Sequence, residues 1–174
     1  MQRVLDAVET PLLLYMSEDN WLCIKVDTSA LMDFTKLILT KKANYIRLSK
    51  ASPSRARCSF RLDKRLVVLT NDAKQRTSLQ PALWRTDIFQ SVLGQNETTW
   101  QFEGRAPHRS KKIPGFMALA RGQRPFPYVG HVDPGWDIDP IRRGQWTKAA
   151  KTYAKREGLD IDFTHQPETH LRCF

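Results

Sequence analysis

The sequence lacks the features that assign many chains to a class at once. No stretch approaches the ~18 consecutive apolar residues that a membrane-spanning helix needs. The apolar segment 11–16 is too short and too close to acidic residues for a signal peptide. The three cysteines, Cys23, Cys58 and Cys173, are odd in number and far apart, which favours reduced thiols. We therefore expect an intracellular protein of the cytoplasm or nucleus.

Motifs of cofactor chemistry are also absent, since the sequence has no glycine-rich phosphate loop, nucleophile elbow or dinucleotide fingerprint. The tail offers His165, His170 and Cys173 as soft-metal ligands, but zinc needs four ligands in a tight tetrahedron. Structural zinc sites usually combine two groups of closely spaced ligands, and this sequence has only one such group. The sequence therefore predicts neither a bound metal nor a cofactor, and it favours a binding protein over an enzyme.

What the sequence has in excess is positive charge, and that charge is concentrated in the middle of the chain. Residues 51–124 carry fourteen Lys/Arg against five Asp/Glu. Residues 1–50 carry seven against six, and residues 125–174 carry seven against seven. Almost all of the formal net charge of +10 therefore comes from one segment. A concentrated positive field attracts polyanions, of which nucleic acid is the commonest.

Hydrophobic periodicity predicts an α+β fold. The alternation of apolar and polar residues predicts strands at 21–27, 45–50, 57–62, 65–70 and 98–102. Helical spacing predicts one helix from residue 28 or 29 to about 41 and a second over 81–93. This order predicts a ferredoxin-like, RRM-like β-α-β-β-α-β sandwich. The signature of the RNA-recognition motif is nevertheless absent at 57–62.

We expect the chain to have three parts: an α+β core domain at 1–103, a basic Pro/Gly-rich loop or arm at 104–140, and a C-terminal helix and tail at 141–174 that packs on the core. The loop prediction rests on frequent proline and glycine and on the lack of sustained periodicity. A long stretch without regular structure in a compact domain is usually functional. The C-terminal extension should contain a helix that begins at 139–140 and ends at Gly158, followed by an edge strand at 159–163.

The predicted sheet supplies the first candidate site. If both early helices cover one face, the opposite face presents rings and cations in alternation: Trp21, Lys25, Tyr45, Arg47, Arg57 and Arg61. Bases stack on rings while cations meet phosphates, so this pattern predicts binding of single-stranded RNA or DNA. In the alternative interpretation the C-terminal helix covers this face, and Trp21 and Tyr45 are core residues.

The second candidate site is the basic arm. Its cations are Arg105, Arg109, Lys111, Lys112, Arg121 and Arg124, with Phe116 as a further ring for stacking and Lys64 and Arg65 as additional backbone contacts. A basic, proline-punctuated segment of this kind resembles a flexible arm that closes on a phosphate backbone. The alternative is a solvated loop whose charge only aids solubility.

Two other functions stay open at this level. A small nuclease would use His108 as a metal-independent general acid or base, or Asp133, Asp137 and Asp139 as metal ligands. The aspartates have a simpler interpretation as parts of a turn and a helix cap. An interaction protein would dock the basic surface on an acidic protein or a membrane surface. Size and charge also suit a subunit of a ribonucleoprotein, or a viral or mobile-element factor.

Overall fold

The computed structural model describes residues 5–17, 20–22, 25–50, 63–73, 75–127, 140–142 and 145–164. The chain divides into two compact units. The first comprises Met1–Ser17 and Val26–Phe126, and the second comprises Glu18–Lys25 and Pro127–Phe174. Within the described ranges, no helix combines the length and the apolar character that crossing a membrane requires.

The described part of the first unit contains five strands and three helices. They follow in the order β1 (Leu12–Tyr15), α1 (Thr28–Leu39), β2 (Tyr45–Lys50), β3 (Leu66–Val68), β4 (Ala82–Arg85), α2 (Thr86–Val92), α3 (Thr99–Arg109) and β5 (Phe116–Leu119). The second unit contains a short hairpin, β6 (Ile141–Arg142) and β7 (Gln145–Trp146), and the helix α4 (Lys148–Glu157).

The sheet of the first unit is mixed, with strand order β1-β4-β2-β5-β3. Strands β2 and β5 run parallel, with Tyr45 opposite Phe116, while the other neighbouring pairs are antiparallel. A parallel pair needs a long crossover connection, and here that crossover contains β3, β4, α2 and α3. The predicted α+β class is confirmed, whereas the ferredoxin-like arrangement is not confirmed.

One face of the sheet is covered by α2 and α3 through a cluster of aromatic rings. Tyr45 and Trp84 lie with their ring centroids 4.2 Å apart, and Trp84 stacks on Phe89 of α2 at 4.7 Å. Phe102 of α3 meets Phe89 edge-on at 5.8 Å, and Phe116 of β5 completes the cluster. Rings in these offset and edge-to-face geometries add to the stability that burial alone gives.

The opposite face is covered by α1. Successive strand residues point to opposite faces, so Ile46, Leu83 and Met117 lie on this second face, and all three are buried. Helix α1 contacts β4 and β1 with a buried stripe made of Ala30, Phe34 and Ile38. An open sheet face was expected only if both predicted helices covered the same face. In the described part of the sheet, α1 and α2 cover opposite faces instead.

Helix α1 follows directly from its sequence. Asp27 is the N-cap, and its Oδ1 accepts a hydrogen bond from the backbone N–H of Ala30 at 3.0 Å. The buried stripe recurs every fourth residue, as an amphipathic helix requires. The helix predicted from residue 28 or 29 is thus confirmed, although it ends at Leu39. The strand predicted at 45–50 is also confirmed, and the strand predicted at 65–70 contains β3.

The second predicted helix is correct only from residue 86 onwards, and the strand predicted at 98–102 is wrong. Residues 82–85 form β4, a strand inside the sheet, before α2 begins. Residues 99–102 form the first turn of α3, because Thr98 and Gln101 make a reciprocal capping box. Thr98 Oγ1 accepts a hydrogen bond from the Gln101 N–H at 3.2 Å, and Gln101 Oε1 accepts one from the Thr98 N–H at 3.0 Å. The strand was predicted because Trp100 and Phe102, two apolar residues at positions i and i+2, are compatible with a short strand as well as with the start of a helix.

Much of the predicted loop at 104–140 has regular structure. Helix α3 continues through Gly104 and Pro107, although both residue types disfavour a helix interior. Burial of Ala106 and Pro107 against the first unit overrides that propensity. Strand β5 then takes an interior position in the sheet, where all four of its residues are buried. Residues 128–139 of the predicted loop lie outside the described residues.

The second unit is built around aromatic side chains. The Trp21 ring lies 5.9 Å from Trp146 and 5.3 Å from Tyr153, measured between centroids. Phe163 meets Trp146 edge-on at 5.2 Å. The hydroxyl of Tyr153 donates a hydrogen bond to the carbonyl of Leu22. These contacts join the short segment before α1 to α4 and its flanks.

The C-terminal helix is confirmed at its end and corrected at its start. It ends at Gly158, which adopts the left-handed conformation (φ 64°) typical of a helix C-cap. It begins after Thr147 and not at 139–140, because the β6–β7 hairpin comes first. Residues 159–163 are not a strand. Of the strand predicted at 21–27, Leu22 makes an isolated bridge, residues 25–27 are not a strand, and residues 23 and 24 lie outside the described residues. The strand predicted at 57–62 lies outside the described residues.

A buried arginine ties together the loops at one end of the first unit's sheet. Arg76 is 1% exposed, and its Nη1 donates to the carbonyl oxygens of Leu69 at 2.6 Å and Thr70 at 3.0 Å. Its Nη2 donates to the carbonyl of Ile113 at 2.5 Å, and the guanidinium carbon lies 4.4 Å from the centre of the Phe116 ring. Burial lowers the pKa of Arg76 to about 10, because desolvation disfavours its charged form.

Arg76→Lys should destabilise the protein, because one ammonium group cannot bond both sets of carbonyls as the guanidinium fork does. Losing at least one hydrogen bond from a charged group should lower the free energy of unfolding by about 1.5–3 kcal/mol. Urea unfolding followed by circular dichroism measures this change. Arg121→Lys, at an exposed position, is the matched control and should change stability by less than ~0.5 kcal/mol. Equal stability of the two variants would contradict the role of Arg76.

Candidate nucleic-acid interface

Two of the rings predicted to stack on bases lie in the core. Tyr45 and Phe116 are both 0% exposed, with their centroids 5.4 Å apart. Neither ring has a face free for a base, which corrects the stacking role predicted for them. Trp21 packs on Trp146 and Tyr153 in the second unit and is not on the five-stranded sheet.

Two of the predicted cations hold the fold together. Arg47 is buried, and its Nη1 donates to the carbonyl of Gln75 at 3.2 Å. Arg65 forms ion pairs with Asp33 at 2.9 Å and with Asp63 at 2.5 Å. The hydrogen bond from Arg65 lowers the pKa of Asp63, so both partners stay charged at neutral pH. These two arginines are committed to contacts within the protein.

Five of the predicted cations are exposed near the two ends of the β3–β5 pair. Lys64 precedes β3 and Arg121 follows β5, and because these strands are antiparallel the two residues lie at the same end. Arg124 follows on that side, while Lys111 and Lys112 precede β5 at the other end. Lys25 is exposed in the second unit, and Arg57 and Arg61 lie outside the described residues. The structure therefore separates cations that the sequence analysis grouped in one arm.

Helix α3 and the turn after it bring several of the predicted residues together. We define the α3 surface as the exposed residues Trp100, Gly104, Arg105, His108, Lys111 and Lys112. Trp100, Gly104 and His108 are spaced by four, so they form one stripe along the helix. Arg105 lies beside this stripe, and the two lysines extend it beyond the C-terminus of the helix. The buried side of α3 carries Phe102 and Ala106 into the core.

The carboxylates near α3 turn away from this surface. Glu103 Oε1 accepts hydrogen bonds from the hydroxyl of Ser78 at 3.0 Å and from the N–H of Leu79 at 2.8 Å. The Glu97 side chain is 4% exposed and accepts a hydrogen bond from the N–H of Gly94 at 3.1 Å. Since both acids bond inward, the exposed charges of the α3 surface are all positive.

Glu97 and Arg109 anchor α3 to the C-terminus of α2. Arg109 donates from Nη1 and Nη2 to the two oxygens of Glu97 at 2.8 and 2.6 Å, and from Nε to the carbonyl of Val92 at 2.8 Å. Arg105 lies further from Glu97, at 3.7 Å, and most of its side chain is exposed. The hydrogen bonds from Arg109 lower the pKa of Glu97. Arg109, predicted as a phosphate contact, thus also holds α3 to α2, and Arg105 has the more exposed guanidinium of the two.

Trp100 is the functional candidate that the sequence analysis missed. It is 69% exposed, and its ring contacts no other ring or cation among the described residues. Because residues 98–102 were predicted as a strand, Trp100 was not expected on the exposed side of a helix. The Thr98–Gln101 capping box was the available signal, since a helix that starts there places Trp100 opposite Phe102.

The nuclease candidates have little geometry to support them in the described chain. His108 is exposed, and no described carboxylate bonds to its ring. Asp133, Asp137 and Asp139 lie outside the described residues. Elsewhere, no three His, Cys, Asp or Glu side chains of the described ranges gather in a way that could hold a metal ion.

Comparison of the chain with protein-family models, curated proteins and solved structures finds no match in any of the three.

Glu97→Gln should lower the free energy of unfolding at pH 7 by about 1.5–3 kcal/mol, because charged hydrogen bonds from Arg109 become neutral ones. The pKa of Glu97 is lower in the folded than in the unfolded chain, so its stabilisation is complete above the ordinary value of about 4.5 and is lost as the pH falls below it. The stability difference between wild type and variant should therefore shrink at acid pH. Urea titrations at several pH values measure this. Glu9→Gln, at an exposed acid, is the control, and a difference independent of pH would contradict the assignment.

Proposed function

We propose that this protein binds nucleic acid through the α3 surface. The observation that supports the proposal is the division of charge around α3, where cations face solvent and both neighbouring carboxylates bond inward. A surface without exposed acids keeps the positive potential that attracts a phosphate backbone.

The side chains of this surface suit phosphate contact in different ways. Arg105 presents a planar guanidinium that can donate two parallel hydrogen bonds to one phosphate. Lys111 and Lys112 are point charges on flexible stems that follow a backbone without fixed geometry. In this proposal His108 is a further polar contact beside them. Lys64, Arg121 and Arg124 are flanking contacts at the other end of the β3–β5 pair.

Lys111→Gln and Lys112→Gln should each weaken binding and reduce its salt dependence. Each lost phosphate contact should lower the slope of log K against log salt concentration by ~0.7 for single strands or ~0.9 for duplex DNA. Fluorescence anisotropy with labelled RNA and DNA, single- and double-stranded, at several salt concentrations measures both quantities. Lys36→Gln is the matched control, because it removes an equally exposed lysine from α1, across the sheet.

Two outcomes would contradict the binding proposal. One is the absence of binding to any of the four polymers at ~50 mM salt, which would point to an acidic protein or membrane partner. The other is an equal loss of slope in Lys36→Gln, which would make the effect one of net charge alone. The recovered strands should also be run on a denaturing gel. If the strands are cleaved, and His108→Ala abolishes cleavage but not binding, the protein is a nuclease and the proposal of a binding protein is wrong.

A further inference from the structure

Trp100 combines a large exposed ring with neighbours that favour a charged partner. Its ring lies on the first turn of α3 without a described aromatic or cationic contact. The exposed residues next to it on the helix are Thr99, Gln101 and Gly104, none of which is apolar and bulky. A protein-docking tryptophan is usually surrounded by further contacts that exclude water. Here the exposed neighbours are polar, and the exposed charges of the α3 surface are cations.

Gly104 keeps the space beside this ring open. A helical side chain covers the turn that precedes it, so a side chain at 104 would lie towards Trp100. A Cβ atom built at Gly104 would meet nothing within 4 Å, so packing of the fold does not require glycine there. Glycine in a helix interior is less stable than alanine. The glycine thus weakens the helix while leaving bare backbone beside an exposed ring.

The ring, the bare backbone and the cations together match the chemistry of an unstacked nucleotide. We infer that Trp100, left uncovered by Gly104, stacks on an unpaired base while Arg105, Lys111 and Lys112 contact the adjoining phosphates, so that the preferred ligand is single-stranded nucleic acid. This inference rests on the proposed function. In a duplex the faces of the bases are already stacked, so a ring on a helix surface finds a free base face only in a single strand.

The test compares one sequence as single strand and as duplex with four variants. Stacking on an aromatic side chain contributes roughly 1–3 kcal/mol per base, so Trp100→Ala should weaken single-strand binding roughly 5- to 140-fold. Duplex binding should change by less than about twofold, and Trp100→Phe should retain most of the single-strand affinity. Met32→Ala, which removes an exposed apolar side chain from α1, is the control and should leave both affinities unchanged.

Gly104→Gln separates binding from stability. A helix-forming side chain at this position should raise the melting temperature by about 1 to 4 °C. It should also weaken single-strand binding several-fold, because it covers the approach to Trp100. A variant that is more stable and yet binds less cannot be explained by damage to the fold. Tryptophan fluorescence gives a further readout, since stacking should quench wild type more than Trp100→Phe.

The outcomes distinguish this inference from the proposed function. Salt-dependent binding with no single-strand preference, or with equal single-strand affinity in wild type, Trp100→Ala and Gly104→Gln, would overturn the stacking inference and leave the α3 surface as a phosphate-binding surface. An equal loss on single strand and duplex would also overturn it. Absence of binding to either polymer at ~50 mM salt would overturn both proposals and leave Trp100 as a protein contact.

Discussion

The buried guanidinium of Arg76 is the contact on which the position of the candidate interface depends. It lies over Phe116 in the core and donates to carbonyls of the segment after β3, at Leu69 and Thr70, and of the segment before β5, at Ile113. Taking a cation out of water costs several kcal/mol unless its donors are satisfied, so this site is stable only while those carbonyls stay in place. The segment that carries Lys111 and Lys112 into β5 is therefore fixed from inside the protein.

The positive charge of the central segment has two different uses. Arg65, Arg76 and Arg109 bond carbonyls or carboxylates of the fold. The exposed cations of the α3 surface are mainly lysines, together with Arg105. Guanidinium groups suit fixed, multiple hydrogen bonds, whereas ammonium groups suit hydrated and mobile contacts. Part of the positive charge of the segment is therefore engaged by the fold itself.

Helix α3 shows how one element can serve both the core and a surface. Phe102 and Ala106 pack against the sheet, while Gly104 and Pro107 work against the helix. The capping box at its start and the Glu97–Arg109 pair at its end offset that weakness, since caps and charged hydrogen bonds each contribute about 1 kcal/mol or more. The stabilising contacts lie at the ends and on the buried side, which leaves the exposed side free for the ligand in our proposal.

Local patterns alone were enough to predict the α+β class, α1 with its buried stripe, the strand at 45–50, and the C-terminal helix up to Gly158. These elements depend on local periodicity and end signals, which are written in neighbouring residues. Contacts between distant parts of the chain make β4 and β5 interior strands and let α3 continue through Gly104 and Pro107, because burial outweighs local propensity there. These contacts also distinguish the two arginines of α3: Arg105 and Arg109 look alike in sequence, but only Arg109 hydrogen-bonds to both Val92 and the buried Glu97. Whether a charge serves the fold or a ligand depends on partners distant in the chain.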